Sequence, residues 1–259
     1  MPKEKKFCLF KKVLNMELNM KIADLHSHVV FGVDDGSDSL AMSLEMIGRL
    51  RNQGVRQIFC TSHNGYCQED VQRYLANFQM LKICSATRYP DVSLYSGCEL
   101  LCSDLYIDDI LYGLESGVFL PLADSKYVLT ELYHDVTPKE AITVTEKLRE
   151  AGWKPVLAHM ERYPGLHSNN AVNELIQRGC LIQVNAISFA EDSHEETKVI
   201  ARSLLKNQLI HFIGSDCHKN YHRPPALSKG VEYIFTHSNK EYAKKIVYEN
   251  VRLLILNQS

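Results

Sequence analysis

Asp24-Leu25-His26-Ser27-His28 reads as the end of a buried strand that carries two imidazoles. Residues two apart on a strand point the same way, so Ile22, Asp24, His26 and His28 are expected to share one face. Two neutral imidazoles where a strand gives way to a loop can hold a divalent ion. Similar donors recur in Thr61-Ser62-His63, Gly97-Cys98-Glu99, Leu129-Thr130-Glu131, Leu157-Ala158-His159 and Ser215-Asp216-Cys217-His218. With one carboxylate from Asp34-Asp35 they make about nine donors. One four- to six-coordinate ion cannot use so many, whereas two or three ions can share them through bridging carboxylates. Histidine and carboxylate with no obligatory thiolate suit manganese, iron or zinc better than calcium or magnesium.

Not every polar residue belongs to this set. Asp24 is expected to support the strand or orient an imidazole from behind. His134, His167, His194 and His237 fall in loops or helix ends and read as surface residues, and His211 reads as a packing residue inside a strand. His222 lies near the proposed mouth without an assigned role. Arg162 and Arg223 follow the His159 and His218 segments closely, and a guanidinium grips phosphate through a planar fork that keeps its charge when partly desolvated. Metal ions with two such arginines point to phosphate ester hydrolysis. The stretch Cys217 to Arg223 also fits the C-x5-R pattern of cysteine-dependent phosphatases, in which a thiolate attacks inside a nest of backbone amides. Here the five intervening residues contain no glycine, and Asp216 and His218 look committed to metal, so the thiol mechanism is set aside.

The elements that must position these groups alternate. Strands are expected near 21–27, 55–61, 92–99, 127–132, 155–159, 180–185 and 209–214. Helices are expected near 39–53, 69–86, 103–116, 138–151, 170–179, 193–207, 225–237 and 240–256. Such alternation argues for an α/β fold with parallel strands. In a barrel of parallel strands the C-terminal ends meet at one mouth, where active sites form. Thr137-Pro138-Lys139-Glu140 offers an N-cap, a first-turn proline and a capping-box glutamate, with Gly152 after the helix; Gly54 and Gly179 likewise follow helices and precede strands. No linker, composition break or repeat divides the chain, so one domain is expected over 21–259.

Composition narrows the function classes. The 45% hydrophobic and 23% charged content suits a sizeable core. A formal net charge of −2 supplies no general attraction to nucleic acid. The 8 cysteines show no C-x-x-C pairing and read as reduced thiols in the cytosol. No apolar run approaches a membrane span. Residues 1–20 read as a frayed, flexible N-terminal extension, because Lys11 and Lys12 interrupt what would otherwise be a signal-peptide core.

The stretches DLHSHVVFGVDDGS (24–37), TSHNGY (61–66), GCE (97–99), LTEL (129–132), AHMERY (158–163) and SDCHKNYHRPP (215–225) resemble the PHP (polymerase and histidinol phosphatase) superfamily. Within it they are similar to the bacterial metal-dependent protein-tyrosine phosphatases of capsule and exopolysaccharide operons, the CpsB/CapC type. The resemblance covers nearly everything from Met20 onward in order and spacing. It implies a distorted (β/α)7 TIM-like barrel with a trinuclear, commonly manganese-activated centre. The implied ligands are His26, His28, Asp35, His63, Glu99, Glu131, His159, Asp216 and His218, with Asp35 preferred over Asp34 by motif alignment. Arg162 and Arg223 are the implied phosphate-binding or transition-state residues. The implied substrate is a phosphotyrosine protein, a membrane-associated bacterial tyrosine autokinase, attacked by metal-activated hydroxide. Two departures are visible: the first twenty residues lack a counterpart, and Asn250-Val251 replaces the Asn-Pro often seen near the end. The rival readings are a small-molecule phosphatase of the superfamily, such as one for histidinol phosphate, and a metal-dependent binding protein without turnover.

Overall fold

The computed structural model describes residues 21–63 and 67–255; the expected extension at 1–20 lies outside them. Strand β1, Ile22–Ser27, is buried at every position, as a parallel strand covered on both faces must be. It is followed by β2 (Val55–Cys60), β3 (Ser93–Ser96), β4 (Glu99–Leu101), β5 (Tyr127–Glu131), β6 (Lys154–Leu157), β7 (Leu181–Asn185) and β8 (Phe212–Gly214). Every pairing among them is parallel, in the orders β1-β2-β3 and β4-β5-β6-β7-β8. Two isolated parallel bridges, Ser27 with Cys217 and His63 with Glu99, join these runs into a ring. Both seams lie where imidazoles and carboxylates leave the strands, so closing the barrel and assembling the mouth are one event.

The single strand expected over 92–99 is instead two. Pairing with β2 ends at Ser96, the chain steps aside at Gly97-Cys98, and Glu99 opens β4 against β5. The step is anchored by Tyr74, whose hydroxyl accepts from Gly97 N at 3.2 Å, and by Cys98 N donating to Leu120 O at 3.2 Å. Glu99 therefore begins a strand rather than ending one, which gives the barrel its distortion. Strict alternation along β1 also fails: the β1–β2 register shifts between Ile22 and Ala23 and again between Asp24 and Ser27. Such irregularities re-aim side chains near active sites. Asp24 turns to Ser215 while His26 turns to His28 and Glu99.

Helices cover the ring from outside at Leu40–Asn52, Gln68–Arg88, Ile107–Ser116, Pro138–Glu150, Asn169–Gln177, Glu195–Lys206 and Ser228–His237. The capping box at Thr137 forms as expected, with both reciprocal bonds present. The helix expected from 103 starts only at Ile107, because Ser103–Tyr106 make a turn closed by Leu105 N on Ser103 Oγ at 3.2 Å. The helix expected over 240–256 is Lys240–Lys244 running into a π-helical turn, Lys245–Glu249, then Arg252–Ile255. Asn250 Nδ2 donates to His211 O at 2.9 Å there, tying this break to the barrel. A small core of Ala23, Leu25, Phe59, Leu129, Val156 and Phe212, drawn from five strands, packs on Val251 and Leu254. The larger core lies between strands and helices. The cysteines among the described residues are free, and no helix among them is long and apolar enough to cross a membrane.

His211, expected to pack inside a strand over 209–214, lies just before β8 instead and is half-buried, and it carries a pH dependence. Its Nδ1 accepts from Ile182 N at 3.1 Å, and burial pulls its pKa down to about 4. A folded pKa below the unfolded value means that the unfolded chain takes the proton first. Its stabilising contribution is therefore full above about pH 6.5 and drains away as pH falls towards 4. We expect about 2–3 kcal/mol to be lost across that window. Urea unfolding at stepped pH should show the loss in the wild type and a flatter profile in His211→Asn.

Candidate functional site

The floor of the mouth is a packed set of ionisable groups. His26, His28, Glu99, His159, Asp216 and His218 are all buried. Glu99 is its hub: Oε2 lies 3.1 Å from His26 Nε2, 3.3 Å from His28 Nε2 and 3.3 Å from His63 Nδ1, while Oε1 lies 2.8 Å from His159 Nε2. Asp216 Oδ1 stands 3.7 Å and 3.6 Å from the same His26 and His28 nitrogens. Glu131 Oε1 is 3.5 Å from His159 Nε2, and Asp35 Oδ1 is 3.3 Å from His218 Nε2. The donor atoms form four overlapping groups: His28-Asp35-His63-His218, His26-Glu99-His159, His26-His28-Asp216 and His63-Glu99-Glu131. All nine residues implied as ligands are thus brought together.

Asp34 and Asp35 take different places. Asp34 Oδ2 lies 2.7 Å from His28 Nδ1 and accepts from His63 N at 2.9 Å, while its Oδ1 accepts from Gly36 N. Its partner on Nδ1 leaves His28 Nε2 facing the cluster, the arrangement by which a second carboxylate orients a ligand. Asp35 faces His218 and Arg223 with a side chain 62% exposed, so it belongs to the open rim. Asp24 lies behind the cluster, accepting from Ser215 N at 2.7 Å and Ser215 Oγ at 2.6 Å. Burial pushes its pKa up to about 6 against those bonds.

Charge in the cluster is organised. Burial alone would depress His28, but Asp34 and Glu99 reverse this and push it up to about 10. Burial opposes the shift of His26 too, and Glu99 and Asp216 carry it upward. Glu99 and Asp216, despite burial, are held well below the usual carboxylate range by His26 and its neighbours, with Arg162 adding to the effect on Asp216. The floor therefore draws positive charge. His218 does the opposite: burial and the neighbouring His28 pull it down to about 3. Its buried Nε2 makes no hydrogen bond although the Asp35 carboxylate stands 3.3 Å away, a costly state that a cation between them would relieve. The residues present fit a centre of divalent metal ions.

Both arginines reach the mouth. Arg162 Nη2 lies 2.7 Å from Asp216 Oδ2, and Arg223 Nη2 lies 3.1 Å from Asp35 Oδ2. His159, Asp216 and Arg223 all adopt left-handed backbone, with φ of 33°, 51° and 49°. That region is uncommon for side chains larger than glycine and marks places where structure imposes a conformation. Cys217 is fully buried, and burial raises its thiol well above the ordinary value, which removes the thiolate that a C-x5-R mechanism needs. His134, His194, His222 and His237 are exposed and belong to none of the donor groups, although His222 adjoins Arg223 at the mouth, and His167 Nε2 contacts Glu161 O at 3.2 Å.

The family model for capsular polysaccharide synthesis, CpsB/CapC, matches residues 22–256. The chain belongs to the CpsB/CapC family. The tyrosine-protein phosphatase CpsB of Streptococcus agalactiae serotype V is 33% identical over 242 residues, covering 90% of this chain and 98% of that protein. The tyrosine-protein phosphatase YwqE of Bacillus subtilis is 30% identical over 247 residues, covering 91% and 92%. A chain from the crystal structures of YwqE from Bacillus subtilis and CpsB from Streptococcus pneumoniae, described as unique metal-dependent tyrosine phosphatases, superposes with a TM-score of 0.80. Its identity is 25%, with 92% of this chain and 96% of that chain covered. The phosphotriesterase homology protein of Escherichia coli shares the fold at TM-score 0.55 and 11% identity, covering 90% and 98%. This CpsB/CapC member therefore has the TIM-barrel-like α/β architecture expected, in one domain.

Three polar residues buried beside this CpsB/CapC site did not stand out in the sequence: Glu161, Gln183 and Asn185. Glu161 Oε1 accepts from Asn185 N at 3.0 Å and Ser188 Oγ at 2.7 Å, and burial raises its pKa. A pair of amides two apart in an otherwise apolar strand was the available signal for the other two.

Proposed function

We propose that this tyrosine-protein phosphatase of the capsule-synthesis family hydrolyses phosphotyrosine on a cytoplasmic segment of a bacterial tyrosine autokinase. The observation that carries this reading is the meeting of nine metal-type donors and two arginines at one mouth. Manganese, in a centre of three ions, is what the family resemblance implies, and the four overlapping donor groups offer enough ligands for two or three ions to share. Such ions supply an activated water and neutralise phosphoryl charge. The ligands are His26, His28, Asp35, His63, Glu99, Glu131, His159, Asp216 and His218.

Arg162 and Arg223 orient the phosphoryl group and stabilise the charge that builds on its oxygens. Each is already held by a carboxylate, Asp216 or Asp35, so little ordering remains when substrate binds. A departing tyrosine, with a pKa near ~10, needs less protonation than an alkyl alcohol. The rim supports a protein substrate over a small enclosed one: the His63, Asp35 and Arg223 side chains are 41%, 62% and 34% exposed. A tyrosine on a peptide segment can reach them, whereas a pocket closed around a small amine would bury them.

The test is phosphate release from a phosphotyrosyl peptide, with manganese and with chelator, for wild type, His159→Ala and Cys217→Ser. Metal-dependent turnover that collapses in His159→Ala and survives in Cys217→Ser is expected. A dead Cys217→Ser beside an active, chelated wild type would overturn the reading, as would metal binding with no turnover of any aryl phosphate. Faster turnover of histidinol phosphate than of phosphopeptides would reassign the substrate.

A further inference from the structure

Strand β7 stands apart in the ring. Its neighbours β6 and β8 lead directly to His159 and to Asp216, yet β7 presents neither imidazole nor carboxylate to the mouth. It presents two amides instead, Gln183 and Asn185, both fully buried and two residues apart, hence on one face. Resting on the reading of the cluster as a metal centre, we propose that Gln183 and Asn185 are positioning residues. Together they form a two-amide brace that fixes which nitrogen of His26 and which oxygen of Asp216 faces the metals.

The direction of every hydrogen bond in the brace is forced from its ends. At one end the His159 backbone N–H donates to Gln183 Oε1 at 2.8 Å, so that atom must be the oxygen. Gln183 Nε2 then donates to Asn185 Oδ1 at 2.9 Å, and Asn185 Nδ2 donates to Asp216 Oδ2 at 3.0 Å. The far end is a carboxylate, which only accepts. Neither amide can be flipped without facing like against like at both ends.

Two consequences reach the cluster. Gln183 Oε1 also lies 3.3 Å from His26 Nδ1. An amide oxygen accepts and cannot donate, so Nδ1 is the nitrogen that carries the proton. Nε2 is thereby the nitrogen left for the metals, and it lies 3.1 Å from both His28 Nε2 and Glu99 Oε2. At Asp216, Asn185 and Arg162 both engage Oδ2, leaving Oδ1 turned towards His26 and His28, with His218 Nδ1 and Arg223 Nη1 also 3.5 Å from it.

The brace spans a strand because that strand yields space. Strand β8 lies between β7 and β1, with Gly214 opposite Asn185. A Cβ on Gly214 would sit 2.5 Å from His26 Cβ and 2.9 Å from Gln183 Nε2. Glycine at this position is what lets a side chain of β7 meet one of β1.

The test separates bonding from filling. Gln183→Met keeps length and bulk but loses both the donor to Asn185 and the strong acceptor for His26 and His159. Manganese affinity of chelator-stripped full-length protein is read by calorimetry, with circular dichroism confirming the fold. Loss of such outer partners weakens metal binding ~10–100-fold, and that is expected for Gln183→Met. A Met variant that binds manganese as tightly as wild type overturns the brace. Should Gln183→Met fail to fold, the ring nitrogens of His26 in the metal-free wild type decide the matter by 15N NMR. A protonated Nδ1 is expected, and a bare Nδ1 overturns the proposal. If the wild type takes up no divalent ion, the metal-centre reading has failed instead, and the same spectrum still judges the brace.

Discussion

Glu99→Gln is expected to abolish metal-dependent turnover while keeping the shape of the site. Its two carboxylate oxygens lie within 2.8–3.3 Å of four imidazoles delivered by three strands, β1, β2 and β6. An amide in the same place offers one oxygen and one N–H group, and the N–H must face a nitrogen or an ion where an acceptor is required. The negative charge that holds His26 and His28 in their arrangement is lost with it. Outer-layer partners of a metal site are worth ~10–100-fold; a carboxylate shared among this many donors should exceed that, with kcat falling at least ~10³-fold, about 4 kcal/mol. Turnover of a phosphotyrosyl peptide at saturating manganese measures it. Activity within about tenfold of wild type would mean that Glu99 is a bystander rather than a bridge.

Arg162→Ala carries the second large effect. The Arg162 guanidinium is 2.7 Å from Asp216 Oδ2, and that carboxylate is buried and held ionised by its cationic neighbours. Deleting the arginine removes a phosphate clamp and leaves a buried charge short of a partner, so two costs add in one direction. Removing one preorganised group of this kind slows reactions ~10²–10³-fold, and a fall of that size in kcat/KM is expected. Arg162→Lys should recover only part, since an ammonium keeps the charge but cannot fork between Asp216 and a phosphoryl oxygen. Measuring both variants at saturating manganese separates phosphate recognition from metal loss. A lysine variant equal to wild type would show that charge alone suffices.

The chain's own order of residues determined the parallel alternation, the caps and the delivery of donors to strand ends. These rest on interactions between near neighbours: a two-residue strand period, the reach of Glu140 back to Thr137, and the absence of glycine between Cys217 and Arg223. The set of nine donors was legible for the same reason, because parallel strands make one mouth out of separate ends. The division of labour between Asp34 and Asp35 was not, since both sit in one loop and only the placement of His28 against His218 tells them apart. Nor could local pattern show that 92–99 breaks in two, because the break depends on Tyr74 and Leu120, far along the chain. The partner of Arg162 and the reach of Gln183 past Gly214 to His26 are likewise tertiary. Residue type states what a side chain can donate or accept; which partner it meets depends on register across the ring and on where a neighbouring strand leaves room.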